Sequence, residues 1–152
     1  MIVDSELIEF LSGQVLMIIG TCNRSGMPGI ARGVGVRIED GETDVIRIFF
    51  SKSHWPHVTQ HVGTGAPVAA TFARPADYMT YQMKGSGAIV SCDEADRAAL
   101  KAYRKMVDDN LRGALPAEHL AIWLDIYDPL TLRLEVAEVY VQTPGPRAGV
   151  RL

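Results

Sequence analysis

Cysteine is nearly absent: Cys22 and Cys92 are the only two, far apart and outside any CxxC or metal-ligand spacing. That excludes a disulfide framework and a cysteine zinc site, and two lone thiols read as reduced residues of a cytoplasmic protein. Long apolar runs are missing as well. No stretch approaches the roughly 18 residues of a membrane span, and the acidic start Met1-Ile2-Val3-Asp4-Ser5-Glu6 lacks the charged-then-apolar order of a signal peptide. Neither charge is in large excess. A net charge of −3 and a pI of about 5.8 give no global attraction for nucleic acid or an anionic membrane. A local basic cluster could still grip a small anion. GxGxxG and HExxH are absent, Lys84-Gly85-Ser86-Gly87 is not a Walker loop, and the sequence shows no Ser-His-Asp or Cys-His arrangement.

What is present is an ordinary globular balance, 47% apolar and 22% charged, which one domain over residues 1–152 can use to build a core. Asp4 or Ser5 caps a short helix over Glu6 to Ser12, and Gly13 stops it. Val15 to Thr21 is a β-branched run suited to a buried strand, and Asn23-Arg24-Ser25-Gly26 is a turn. Gly29 to Ile38 and Val45 to Ser51 are the second and third strands around Glu39-Asp40-Gly41-Glu42. Ser53 is the expected N-cap of a short helix that contains Pro56 and runs to about Val62. Pro67 to Phe72 and Tyr78 to Ser91 are further strands. A long helix follows from Asp93 or Glu94 to about Asn110, with Ala95, Ala98, Ala99, Ala102, Tyr103 and Met106 as its expected inner stripe. Residues 111–129 read as loop plus a short helix around Ala117 to Leu124. Leu130 to Gln142 is the last strand, and residues 143–152 form a loose tail. The class is mainly β (α+β), and six strands with few helices favour a closed or nearly closed antiparallel barrel.

Three groups of residues could carry chemistry. Arg32, Arg37, Arg47 and Lys52 lie on two adjacent strands and the loop after them, beside Ser53 at a helix start. Helix starts favour anions, so the group reads either as a phosphate cradle or as solvated arginines on an outer barrel face. His54, His57 and His61 fall at i, i+3 and i+7, on one side of the short helix. Imidazoles so placed can bind a metal or haem, but no acidic partner accompanies them, and no metal is expected. Tyr78, Tyr81 and Gln82 could contact a flat ligand or simply pack a sheet face. Trp55 and Trp123 read as packing anchors.

The stretch Val15 to Gly87 resembles the pyridoxamine 5′-phosphate oxidase-like FMN-binding split-barrel family. The resemblance rests on Ser25-Gly26-Met27-Pro28, Ala31-Arg32-Gly33-Val34-Gly35-Val36-Arg37, Ile48-Phe49-Phe50-Ser51-Lys52-Ser53, Pro67-Val68-Ala69-Ala70-Thr71-Phe72 and Lys84-Gly85, taken in that order. It implies a six-stranded antiparallel split β-barrel with flanking helices, working as a homodimer with FMN held between the subunits. By position, Arg32 and Arg37 match the basic residues of the family's second strand. Phe50 and Ser51 fall beside the ring or ribityl chain, Lys52 and Ser53 near the phosphate, and Gln82 near the fifth-strand glutamine. Where the family often has Ser-Arg-Lys, this chain has Ser53-His54-Trp55, with His54 as a partial substitute. Trp123 and Arg133 do not reproduce the C-terminal substrate segment of the true oxidases, so that activity is not expected.

The resemblance therefore implies an FMN-dependent oxidoreductase acting on a small molecule, in which the flavin supplies the redox chemistry. A non-enzymatic haem- or flavin-binding barrel and a deazaflavin-dependent reductase are the alternatives, since one fold serves several ligands.

Overall fold

Asp4 opens the first element, its carboxylate accepting the Leu7 N–H at 2.9 Å at the head of α1 (Ser5–Ser12). The helix buries Leu7, Phe10 and Leu11. The computed structural model of the chain describes residues 2–124 and 126–152, with all side chains among them except those of Thr43 and Trp123. The expectation for Trp123 therefore lies outside the described side chains. Among the described residues the elements continue as β1 (Leu16–Cys22), β2 (Pro28–Gly33), β3 (Val36–Glu39), β4 (Glu42–Ser51), α2 (Pro56–His61) and β5 (Ala66–Ala73). They end with β6 (Thr80–Ser91), α3 (Glu94–Leu111), α4 (Ala117–Leu124) and β7 (Pro129–Val141). No helix among the described residues is long and apolar enough to cross a membrane.

The strands form one antiparallel sheet in the order β2-β1-β5-β6-β7-β4-β3. Its two edge strands are consecutive in the chain and are joined only by Val34-Gly35. The Val34 N–H donates to the Phe49 carbonyl (2.8 Å) and the Phe49 N–H to the Gly35 carbonyl (2.9 Å). The run Pro28 to Glu39 thus leaves β1, bends, and joins β4; among the described residues β2 and β3 do not pair with each other, so the sheet is not closed. The expected single second strand is two strands, so seven stand where six were expected. Gly35 permits the bend. Its φ is +149°, where side chains are disfavoured, and a Cβ there would lie 2.8 Å from the Phe49 ring.

Alternation fills the barrel. Met17, Ile19, Ile46, Ile48, Phe50, Phe72, Met83, Leu132 and Leu134 are all fully buried in the main core. The outer side of β4 is covered too: Phe49 packs with Val34, Cys92 and Leu100 beneath α3. The inner face of α3 carries Asp96, Leu100 and Val107, while Ala95, Ala98 and Ala102 are exposed. The expected alanine stripe is thus rotated by about one position. The cause is polar: Asp96 is drawn inward by arginines of the sheet. The tail is likewise tied down rather than loose. Gly149 N–H donates to the Val141 carbonyl and Val141 N–H to Val150 (both 2.8 Å), and Leu152 N–H donates to Val139 at 2.9 Å.

Candidate functional site

Where β4 runs out, its last residue is fixed by the strand and its neighbours are fixed by side-chain bonds. Ser51 is buried and pairs in register with Pro129 of β7. Its hydroxyl accepts the His54 N–H (3.3 Å) and donates to Asp128 Oδ1 (3.0 Å). The Ser53 hydroxyl donates to the same oxygen at 3.1 Å, and the two serine oxygens are 3.2 Å apart. The Lys52 N–H donates to the Asp128 carbonyl at 3.2 Å, closing the loop onto the start of β7. Burial works against a charge on Asp128. Hydrogen bonds from Ser51, Ser53 and backbone N–H groups outweigh that, so its carboxyl is held below the usual aspartate range.

Beside this loop lies a cavity of about 300 Å³, lined by Arg32, Val34, Ser51, His54, Trp55, Ile122 and Ile126. That is the lower end of the range for small-molecule sites, and the wall chemistry is of the usual kind, apolar with a few polar groups. Arg32 projects outward from β2, half-buried, and burial lowers its pKa while the Tyr103 hydroxyl works in the opposite direction. Arg32 also opens a cross-sheet row. In register it faces Ile18, which faces Thr71, which faces Gln82, which faces Tyr140. Gln82 Nε2 donates to Thr71 Oγ1 at 3.1 Å. Three strand spacings separate Arg32 from Gln82, about 14 Å.

No protein-family model and no curated protein matches this chain. Solved structures do. A candidate pyridoxamine 5′-phosphate oxidase from Lactobacillus delbrueckii superposes with a TM-score of 0.55 at 12% identity, over 90% of this chain and 92% of that one. HutZ, the haem storage protein from Vibrio cholerae, gives 0.50 at 13% identity, over 93% and 95%. An F420 reductase gives 0.51 at 17% identity, over 86% and 93%. The fold is the split barrel of the pyridoxamine 5′-phosphate oxidase-like proteins. At these identities the likeness is one of fold, and proteins that share this split barrel carry names tied to different ligands.

On this split barrel the predicted residues divide. Arg32, Ser51 and His54 line the cavity together, and Ser53 joins them through Asp128. Lys52 is exposed, and its side chain is not part of the lining. Gln82 stands apart on the outward sheet face, connected to Arg32 only by the cross-sheet row. Phe50 is displaced: its side chain is fully buried in the barrel core, because strand alternation turns it inward with Ile46 and Ile48. Ser53 does not cap a helix. Helix α2 begins at Pro56 behind Trp55, which makes no side-chain cap bond, and the Ser53 hydroxyl is committed to Asp128.

Arg37 is displaced most. It does sit opposite Arg47, as the turn implied, but both arginines converge on a carboxylate of α3. Arg37 Nε donates to Asp96 Oδ1 (2.8 Å) and its Nη2 to Asp93 (2.9 Å). Arg47 donates to both Asp96 oxygens, at 2.8 and 2.6 Å, and to Glu39 at 3.2 Å. Asp96 is fully buried, which opposes its charge. Arg47, Thr131, the Asp93 N–H and Arg37 overcome that, and its pKa falls to about 2. Arg37 and Arg47 anchor a helix and do not face the cavity.

The histidines split as well. His54 lines the cavity, whereas His57 and His61 pack α2 against β1 and β2, with ring centroids 5.3 Å apart. His61 Nδ1 shares a 2.9 Å hydrogen bond with Thr21 Oγ1, and both rings lie against Gly29, where a Cβ would sit 2.7 Å from His57. No group of three or more His, Cys, Asp or Glu among the described residues could hold a metal ion. Sequence reasoning missed Val34, Ile122, Ile126 and Asp128. The last three fall in a stretch read as loop and short helix, which carried no signal of its own.

Proposed function

We propose that this chain is a flavin-dependent oxidoreductase acting on a small molecule, with FMN as the cofactor and a homodimer as the working unit. The observation that carries the reading is the cavity that joins Arg32, Ser51 and His54 to Val34, Trp55, Ile122 and Ile126. A flat ring would lie against the apolar wall, and Arg32 would meet its polar chain. The flavin, when bound, supplies the electron transfer, and the side chains bind and orient it.

The dimer reading draws on the outward face of β1 and β2. Leu16, Ile18 and Ile30 are exposed there, near Arg32, and Met27 is exposed in the connection between the two strands. Apolar side chains grouped on one sheet face are the usual mark of an interface, and a two-fold contact would set Arg32 of each copy near the other subunit. The split barrel is shared with a candidate pyridoxamine 5′-phosphate oxidase and an F420 reductase, which fits a flavin-like ring. It is shared with a haem storage protein too.

The test is a visible absorption spectrum of the purified chain, taken before and after excess FMN and passage through a desalting column. Retained flavin bands are the expected result. A protein that stays colourless overturns the flavin reading, and a Soret band on adding haem replaces it with a haem-binding role.

A further inference from the structure

Beside the cavity, at its lining residue Ser51, a seat for an anion is already built, and the anion it holds is the chain's own. Two hydroxyls, from Ser51 and Ser53, donate to one oxygen of Asp128 at 3.0 and 3.1 Å. The partners of this carboxylate are hydroxyls and N–H groups, the donor set that grips the terminal oxygens of a phosphate monoester. Ser51 is held in place: it is buried, and its oxygen also accepts the His54 N–H. The carboxylate comes from the segment between α4 and β7, and Ile126 of that segment lines the same cavity. Occupant and wall belong to one piece of chain.

We propose that Asp128 is the specificity-determining residue of this cavity: its carboxylate fills the Ser51–Ser53 anion seat, and a phosphate-bearing ligand enters only by displacing it. Two anions cannot share a pair of hydroxyls, because each repels the other and the donors satisfy one at a time. The seat therefore discriminates against the phosphorylated form of a ligand relative to its neutral form. Replacing Asp128 removes the competitor and leaves the donors in place. The biological meaning rests on the cavity being a ligand site, as proposed above, but the seat can be tested without a flavin.

The experiment is a titration of the ¹⁵N-labelled full chain with inorganic phosphate, against chloride of equal ionic strength, following the Ser53 and His54 amides. Wild type, Asp128→Ala, Asp128→Asn and Asp128→Ala with both serines changed to Ala are compared, with circular dichroism as the check on folding. The expected result is saturable, local shifts in Asp128→Ala and Asp128→Asn at phosphate concentrations at least ten-fold below wild type, lost when the serines are removed. Equal phosphate affinity in wild type and both Asp128 variants, or no local shifts in any of them, overturns the proposal. A parallel arm compares FMN with riboflavin. If Asp128→Ala raises the FMN-to-riboflavin affinity ratio ten-fold, both readings stand. A ratio that does not move, with flavin bound throughout, overturns the role of Asp128 and leaves the flavin reading intact. Phosphate bound as expected with no flavin bound by any variant does the reverse.

Discussion

Asp96→Asn is the substitution that most directly tests how this barrel holds its long helix. The carboxylate is fully buried and accepts Arg37 Nε (2.8 Å), Arg47 Nε and Nη2 (2.8 and 2.6 Å), Thr131 Oγ1 (2.9 Å) and the Asp93 N–H (3.1 Å). Asparagine keeps the shape and one oxygen but removes the charge, and it points an NH₂ group at donors. Breaking a buried ion pair from one side costs about 3–5 kcal/mol. The lower end applies, because Arg47 keeps Glu39 (3.2 Å) and Asp93 (3.4 Å), and Arg37 keeps Asp93 (2.9 Å). A loss of about 3 kcal/mol lowers the melting temperature of a chain this size by roughly 6–12 °C. Urea unfolding followed by circular dichroism measures the loss directly. A variant within 1 kcal/mol of wild type would refute the claim that this network anchors α3.

The same group fixes the sign of the acid response. The Asp96 pKa is depressed from 3.8 to about 2 in the folded chain. Its contribution is therefore complete above the unfolded value and is lost as pH falls from about 4 to about 2. The difference corresponds to about 2 kcal/mol. The Asn variant should lack that part of the acid transition, so its stability falls less steeply than wild type in this window.

Two further substitutions separate packing from binding. Gly33→Ala places a Cβ 2.8 Å from Met17 Cβ and 2.9 Å from Ile48 Cγ2, an overpacking that should cost about 1–3 kcal/mol in urea unfolding; a neutral result would mean that β2 has room to move away from Met17 and Ile48. Arg32→Ala should weaken flavin binding by about 1.5–3 kcal/mol, the range for a charge-assisted hydrogen bond, while Arg37→Ala leaves affinity unchanged and lowers stability; titration calorimetry showing the opposite assignment would reject the site.

How much of this was legible in the sequence follows from the range of the interactions involved. The caps of α1 and α3, Asp4 and Asp93, act within three residues, and each is one of the two starts the sequence offered, Asp4 or Ser5 and Asp93 or Glu94. Val45 to Ser51 was expected as a strand, and alternation along it puts Ile46, Ile48 and Phe50 on one side, which is the core side. Apolar periodicity failed on α3, because its anchor is an aspartate whose arginine partners lie 49 and 59 positions away. Ser53 reads as a cap only if its hydroxyl is available locally. Its partner, Asp128, is 75 positions further on. The turn at Asp40-Gly41 lets Arg37 pair with Arg47 across β3 and β4, yet pairing says nothing of what the two arginines face. Positional carry-over from a resemblance fails at Phe50 for a related reason, since parity along β4 decides which side chains look outward.

The arginines show why the acidic net charge is a poor guide to what this cavity binds. Arg37, Arg47 and Arg133 all spend their charge on Glu39, Asp93, Asp96 and Glu135. Arg32 is the arginine that reaches the cavity, and Ser51, which lines the same cavity, already donates to a carboxylate. On the flavin reading, electrostatic grip on a phosphate is therefore weak at the outset. The affinity has to come from the flat apolar contact with Val34, Trp55, Ile122 and Ile126. Apolar cover there contributes roughly 25 cal/mol for each Å² buried, and the seated carboxylate does not oppose that term. The ring end of the ligand, more than its phosphate, decides whether this barrel holds it.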